Sequence, residues 1–493
     1  MRKLSGIHSD EASADTMNPC LVCASLLSIA VLSGCVTTAS TSNEPITAIT
    51  ESEGYRRFDT QKMNASGDTI VLLAFSGGGT RAAALSYGVM QELRDTLIDT
   101  SEGQRRLLDE VDTISSVSGG SFTSAYYGVF RDGIFDSFET DFLRAGVQQA
   151  LVDELLNPLY WVKSATSGFD RTEMAIDHYD QHIFRGATFS DIEENGPPFI
   201  EINATDLTTG MRFTFNQERF DLICSSLSEF SVARAVAASS AVPVVFPTIP
   251  LKNYADRCDI SGTEEWLALE QAELLAETRS QQELIQVLKS YRDAEQRQYI
   301  HLVDGGVSDN LGLRSLINRL EIFKSRGIEI FGERAPKNIL LISVNAEVKR
   351  SYEIESSPDD PPIATTMSAY TSSQMHRSNR ETIDRLESDI ADLKEQFQVA
   401  GIDTEIYFSK ISFNQVPVKD VNAFLNSLPT SLELEDIQVD RLIGVGRLML
   451  RLEPAYVRFI HDNRARIVDG ALTNDQICQQ FEHSSCDDSV PVQ

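Results

Sequence analysis

Residues 69–82 read TIVLLAFSGGGTRA, and the fold is decided there. Thr69 to Phe75 (TIVLLAF) is a short apolar run rich in β-branched residues, which predicts a buried strand. It breaks at Ser76-Gly77-Gly78-Gly79, and the TRAAALSYGVMQELRDTL that follows has the Ala/Leu/Met-rich spacing of a helix. The unit recurs downstream: Val111 to Ser115 predicts a strand that turns at Ser118-Gly119-Gly120 into another helix. Further strands are expected at Phe199 to Ala204, Tyr299 to Val303 and Asn338 to Val344. Strands alternating with helices predict an α/β fold whose sheet is covered on both faces.

Working outward, residues 261–297 read as helical throughout, an insertion between core strands. Ser261-x-x-Glu264 has the pattern of a capping box, and Leu274, Leu284, Val287, Leu288 and Tyr291 share a helical face. A charged helix at about 380–397 spaces Ile383, Leu386, Ile390, Leu393 and Phe397 for burial, either by packing on the domain or by dimerisation. Residues 353–363 (EIESSPDDPPI) read as an acidic, proline-rich surface loop. Leu155, Leu156, Leu159, Tyr160, Trp161 and Val162 form an apolar cluster, read either as packing over the core or as a cap at an apolar approach.

Composition bounds the function. The 493 residues carry 43 Lys+Arg against 73 Asp+Glu, a net charge of −30, which excludes a general nucleic-acid binder and a polybasic membrane binder. Leu21 to Leu32 (LVCASLLSIAVL) has the length of a signal-peptide core, short for a bilayer span. The Leu32-Ser33-Gly34-Cys35 that follows resembles the lipobox of bacterial lipoproteins, implying removal of residues 1–34 and a lipid on Cys35. Residues 35–66 then form a Ser/Thr-rich tether. The expected location is the bacterial cell envelope; outer-membrane sorting follows from the absence of an acidic residue at Val36 and Thr37. Of the Cys residues that would remain thiols, Cys478 and Cys486 are near neighbours expected to pair in the tail 478–493, which leaves Cys224 and Cys258 to pair by exclusion.

Three segments carry the chemistry. Ser76-Gly77-Gly78-Gly79-Thr80-Arg81-Ala82, between a strand and a helix, permits φ > 0 and directs free N–H groups toward negative charge, but lacks the Gly-Lys-Ser/Thr ending of a nucleotide loop. Ser116-Val117-Ser118-Gly119-Gly120 sets Ser118 on a sharp strand-to-helix turn, with Ser116 where the Gly-x-Ser-x-Gly elbow has its first glycine. Asp304 leaves an apolar strand into Gly305-Gly306, at the sheet edge where α/β sites gather.

The order of these motifs, with Asn203-Ala204-Thr205-Asp206-Leu207-Thr208-Thr209-Gly210 and Arg234 to Pro243 (RAVAASSAVP), resembles the patatin-like phospholipases over roughly Thr69 to Asn318. The resemblance implies a three-layer α/β/α domain at 69–318 with a mostly parallel central sheet, a helical insertion and an α+β extension at 336–477. It further implies Ser118 as nucleophile, Asp304 as general base, and Gly77, Gly78 and Gly79 as oxyanion donors. Arg81 would orient a lipid phosphate or form a structural ion pair. No metal or cofactor is called for; phospholipid or another acyl lipid is the expected substrate. Two alternatives stay open. A histidine triad would need His301, which strand alternation turns away from Asp304, while His178 and His182 have metal-ligand spacing without an evident third ligand. A catalytically silent lipoprotein would use the same cleft to bind lipid or a partner.

Overall fold

The structure, a computed structural model, describes residues 41–56, 67–157, 160–161, 169–243, 245–275, 279–331, 335–349, 353–416 and 418–479. The expected signal segment, Cys35 with its expected lipid, half of the tether (35–40 and 57–66) and Cys486 lie outside these residues, as does the Cys478 side chain.

The central sheet has eight strands: β1 (Thr69–Phe75), β2 (Val111–Val117), β3 (Phe199–Asp206), β4 (Arg212–Thr214), β5 (Ile249–Lys252), β6 (Tyr299–Val303), β7 (Asn338–Asn345) and β8 (Glu405–Ser412). Their order is β8-β7-β1-β2-β3-β6-β5, with β4 paired to β3. The four pairings from β8 to β3 are parallel, and β6, β5 and β4 join antiparallel. The sheet is thus mostly parallel.

Strand β1 is apolar throughout because both its faces are covered. Val71, Leu73 and Phe75 face the larger core, and Ile70, Leu72 and Ala74 the smaller one. The larger core lies under helices α1 (Thr80–Asp95), α2 (Gly119–Phe130), α3 (Val232–Ser239) and, late in the chain, a helix at Asp436–Leu452. The smaller core is closed by the helices Leu313–Phe331 and Ile363–Ala400. Leu386, Ile390, Leu393 and Phe397 are buried in it, so that apolar face packs on the domain and is not left for a second copy.

The insertion departs from its expected form. It comprises two helices, α4 (Glu264–Leu275) and α5 (Arg279–Ser290), and Leu274 is exposed. Ser261 does not cap the first of them; the Thr263 hydroxyl accepts from Trp266 N–H, so the cap lies two residues later than the pattern suggested. Buried Tyr291 and half-buried Arg297 tie the insertion to the sheet through the Asp206 carboxylate. The pairing of Cys224 with Cys258, reached by exclusion, is present, with 5.7 Å between the Cα atoms. Among the described residues no helix is long and apolar enough to cross a membrane.

The long helices after the insertion are α6 (Leu313–Phe331), α7 (Ile363–Ala400) and α8 (Asp436–Leu452).

Candidate active site

Strands β1, β2 and β6 deliver their carboxyl ends to one edge of the sheet, where the three motifs meet. Ser118 ends β2 and opens α2 with φ 49° and ψ −120°, a strained conformation for a residue with a Cβ. The following residues must be small: a Cβ on Gly119 would lie 2.0 Å from the Gly79 carbonyl oxygen, and one on Gly120 would lie 2.7 Å from the Phe75 oxygen. Close contact of the two turns therefore requires both glycines. Ser116 is accommodated in place of the usual glycine because its hydroxyl donates to the Glu201 carbonyl at 3.2 Å and accepts from Ser124 Oγ at 2.6 Å.

Ser118 Oγ donates to Asp304 Oδ2 at 3.1 Å, and the other carboxylate oxygen accepts from Gly306 N–H at 2.7 Å. Both residues are buried. Burial pushes the Asp304 carboxyl up to about 6, against the two hydrogen bonds, which pull it down. The other motifs are the framework that joins these two side chains. Ser118 N–H donates to Ser239 Oγ, which donates to the Asn203 carbonyl; the Ser239 and Ala241 carbonyls accept from Gly305 and Asp304 N–H. Thr205 Oγ1 donates to the Asp304 carbonyl at 2.8 Å.

The glycine loop corrects one expectation. Gly77 N–H donates to the Asn310 carbonyl at 2.9 Å and is not available to an oxyanion. The N–H groups of Gly78, Gly79 and Gly119 enter no backbone hydrogen bond among the described residues. Gly119 was not among the expected donors, although the residue after an elbow serine commonly supplies one and the elbow pattern was visible in the sequence.

Arg81 corrects another. It is 3% exposed; Nε donates to the Ala346 carbonyl at 2.9 Å, Nη1 to Leu428 at 2.6 Å and Nη2 to Thr430 Oγ1 at 3.1 Å. It neither faces a substrate phosphate nor forms an ion pair among the described residues. Burial among neutral acceptors pulls its guanidinium down to about 10. Arg81 clamps residues 428–430 to the glycine loop, and the Ser431 carbonyl accepts from Thr80 N–H at 2.8 Å.

His301 is exposed and bonds through Nδ1 to Thr248 Oγ1 at 2.9 Å. His178 and His182 stack with ring centroids 4.7 Å apart. No histidine hydrogen bonds to Ser118 or Asp304, and no group of three or more His, Cys, Asp or Glu is placed to hold a metal, among the described residues. Of the apolar cluster near residue 160, Leu156 and Trp161 are exposed and Tyr160 is buried; Pro158, Leu159 and Val162 lie outside the described residues.

Asp304 yields a stability prediction. Its folded pKa lies above the ordinary 3.8, so its contribution is fully present below that value and is lost as pH rises through about 6. Asp304→Asn keeps the shape without the buried charge. The variant is expected to be more stable than the wild type near pH 8, by up to about 3 kcal/mol, with the difference vanishing at about pH 3.5. Urea unfolding at the two pH values measures it.

An elbow serine hydrogen-bonded to a carboxylate, beside N–H groups free of backbone bonds among the described residues at the carboxyl edge of a helix-covered sheet, defines a class of α/β protein in which a hydroxyl and its proton acceptor are already in contact. Residues 73–317 match the family model described as patatin-like phospholipase, which marks this segment as a patatin-like domain. Solved structures similar to it include human GIVD cytosolic phospholipase A2, 10% identical with a TM-score of 0.25, over 56% of this chain and 45% of that one. VipD from Legionella pneumophila is 12% identical with a TM-score of 0.25, over 88% of this chain and 92% of that one. The chain thus spans less than half the length of the first of these. No curated protein matches it.

Proposed function

We propose that the chain is a serine acyl hydrolase that cleaves carboxylic ester bonds of phospholipids or other acyl lipids through an acyl-enzyme. The observation that carries this reading is the 3.1 Å contact of Ser118 Oγ with the buried Asp304 carboxylate. Asp304 takes the hydroxyl proton as Ser118 Oγ bonds to the ester carbonyl carbon. The oxygen of the tetrahedral intermediate then faces the N–H groups of Gly78, Gly79 and Gly119. Collapse expels the alcohol, which takes the proton from Asp304; water, deprotonated by the same carboxylate, releases the fatty acid and restores Ser118.

A carboxyl near 6 suits both halves of the cycle, being largely ionised at pH 7 yet acidic enough to return its proton. Activity is therefore expected to fall as pH drops below about 6, with a single-proton limb that is absent in Asp304→Asn. Incubation of the purified chain with phosphatidylcholine vesicles tests the reaction type: free fatty acid and lysolipid are expected, and release of diacylglycerol or phosphatidic acid would contradict ester cleavage.

Attachment to the envelope membrane is proposed to run through a lipid on Cys35, with the acidic body contributing little attraction to anionic lipid. Cys35→Ala is expected to move the chain to the soluble fraction; unchanged membrane fractionation would contradict this attachment.

A further inference from the structure

The chain enters the fold at the edge of the sheet that carries Ser118 and Asp304. Asn43 brackets the end of β5: its Nδ2 donates to the Lys252 carbonyl at 2.8 Å, and its Oδ1 accepts from Lys252 N–H at 2.9 Å. Lys252 stands opposite Tyr299 on β6, and β6 runs back against β3 with Leu302 opposite Asp206. Asn43 therefore sits beyond the carboxyl end of β3, by roughly 10 Å. From there the chain runs toward the opposite edge, where Tyr55 stacks on Phe199, the first residue of β3, with ring centroids 4.5 Å apart. Cys35 precedes Asn43 by eight residues, a reach of at most about 28 Å. A bilayer that held a lipid on Cys35 would lie within that reach of the catalytic edge.

The same edge carries apolar side chains that face solvent. Leu207, Val242, Val245, Tyr299 and Val307 are each 41–53% exposed. Backbone contacts set them around Asp304 and β6: Val307 N–H donates to the Asp304 carbonyl, and Ala241, whose carbonyl accepts from Asp304 N–H, precedes Val242. Val245 N–H donates to the Val242 carbonyl, and Leu207 N–H to that of His301. One exposed apolar side chain is ordinary; five gathered at the end of one strand mark an interaction surface. The charges beside it select the partner. Glu347, just past β7, pairs with His376, so the first half of α7 extends past this edge, with exposed Glu355, Asp359 and Asp360 ahead of it. Those carboxylates disfavour an anionic surface and leave a zwitterionic one.

We propose that this edge docks on a zwitterionic phospholipid bilayer, with the five apolar side chains entering the interface and Ser118 turned to the membrane; this rests on the readings of Cys35 as the anchor and of an acyl lipid as the substrate. A tether limits how far the chain can stray and leaves open which face turns to the membrane. The apolar rim sets that face.

The lipidated chain is compared with a Leu207→Lys, Val245→Lys variant and with a control pair, Val399→Lys, Val457→Lys, on phosphatidylcholine vesicles and on a soluble short-chain ester. The control residues are 84% and 48% exposed at the opposite edge, Val399 at the end of α7 and Val457 near Asn463, which accepts from the Asn338 amide at the start of β7. The ratio of vesicle to soluble rates is expected to fall about tenfold in the first variant and less than about twofold in the control. A first-variant ratio within about twofold of wild type, or an equal fall in the control, overturns the proposal and leaves the acyl hydrolase reading in place. Hydrogen exchange on the vesicle-bound chain reads the face without catalysis. Slowing is expected in peptides containing Leu207 and Val245 and not in those containing Val399 and Val457; slowing at both edges, at neither, or at the opposite edge alone overturns the proposal. Hydrolysis that survives Ser118→Ala overturns the reading of Ser118, and the exchange result then decides the docking face by itself.

Discussion

Ser118→Ala and Asp304→Asn are each expected to lower ester hydrolysis by on the order of 10⁴-fold, and the double variant to be no worse than the weaker single one. The two side chains act as one unit. Without Ser118 Oγ no acyl-enzyme forms, and without the carboxylate the hydroxyl has no acceptor, since Asp304 is its only side-chain partner among the described residues. What distinguishes the two variants is stability. Asp304→Asn removes a buried charge and is expected to gain stability above pH 6 while losing activity. Initial rates and unfolding midpoints on the same preparations check both halves, and a Ser118→Ala variant retaining more than about a tenth of wild-type kcat/KM contradicts the assignment.

Gly88→Val and Gly446→Val are expected to cost about 3 kcal/mol or more each in folding stability, although both lie outside the Ser118–Asp304 pair. Helices α1 and α8 cross with their backbones in contact. A Cβ on Gly88 would lie 2.2 Å from the Ile443 carbonyl oxygen, and one on Gly446 would lie 2.3 Å from that of Leu85. Backbone cannot turn aside as a side chain does, so the helices must separate. Separation also pulls Arg447 from Asp95, at 2.7 Å, and Arg451 from Glu92, which is fully buried. Residues 428–431 lead into α8 and hold the glycine loop through Arg81 and Thr80, so activity is expected to fall along with stability. Urea unfolding read as a change in midpoint checks this, and midpoints unchanged in both variants contradict it.

That coupling was not legible in the sequence, and the reason is physical. A glycine inside a helical pattern signals close approach without naming its partner, and the partners here are hundreds of positions apart. Arg81 was misread for the same reason: the residues that neutralise its interest in a phosphate are carbonyls at 346 and 428, and main-chain acceptors leave no mark in side-chain chemistry. The local signals read well. TIVLLAF and NILLISV are continuous apolar runs because each is covered on both sides, and they pair in register from Asn338 beside Thr69 to Val344 beside Phe75. The nearness of Ser118 to Asp304 came from motif order and resemblance, not from spacing. The cap at Thr263 carries no capping-box signal, because Trp266 stands where Glu or Gln would mark it, whereas Ser261-x-x-Glu264 fits that pattern without capping the helix.

The central claim is that Ser118 is a nucleophile activated by Asp304. Its most direct measurement is peptide mapping of the chain after exposure to a fluorophosphonate probe, at pH 5 and pH 8, for the wild type and Asp304→Asn. The account predicts one adduct, on Ser118, formed faster at pH 8 than at pH 5 in the wild type and slowly at both pH values in Asp304→Asn. A folded wild-type chain that takes no label, or takes it on a residue other than Ser118, would contradict it.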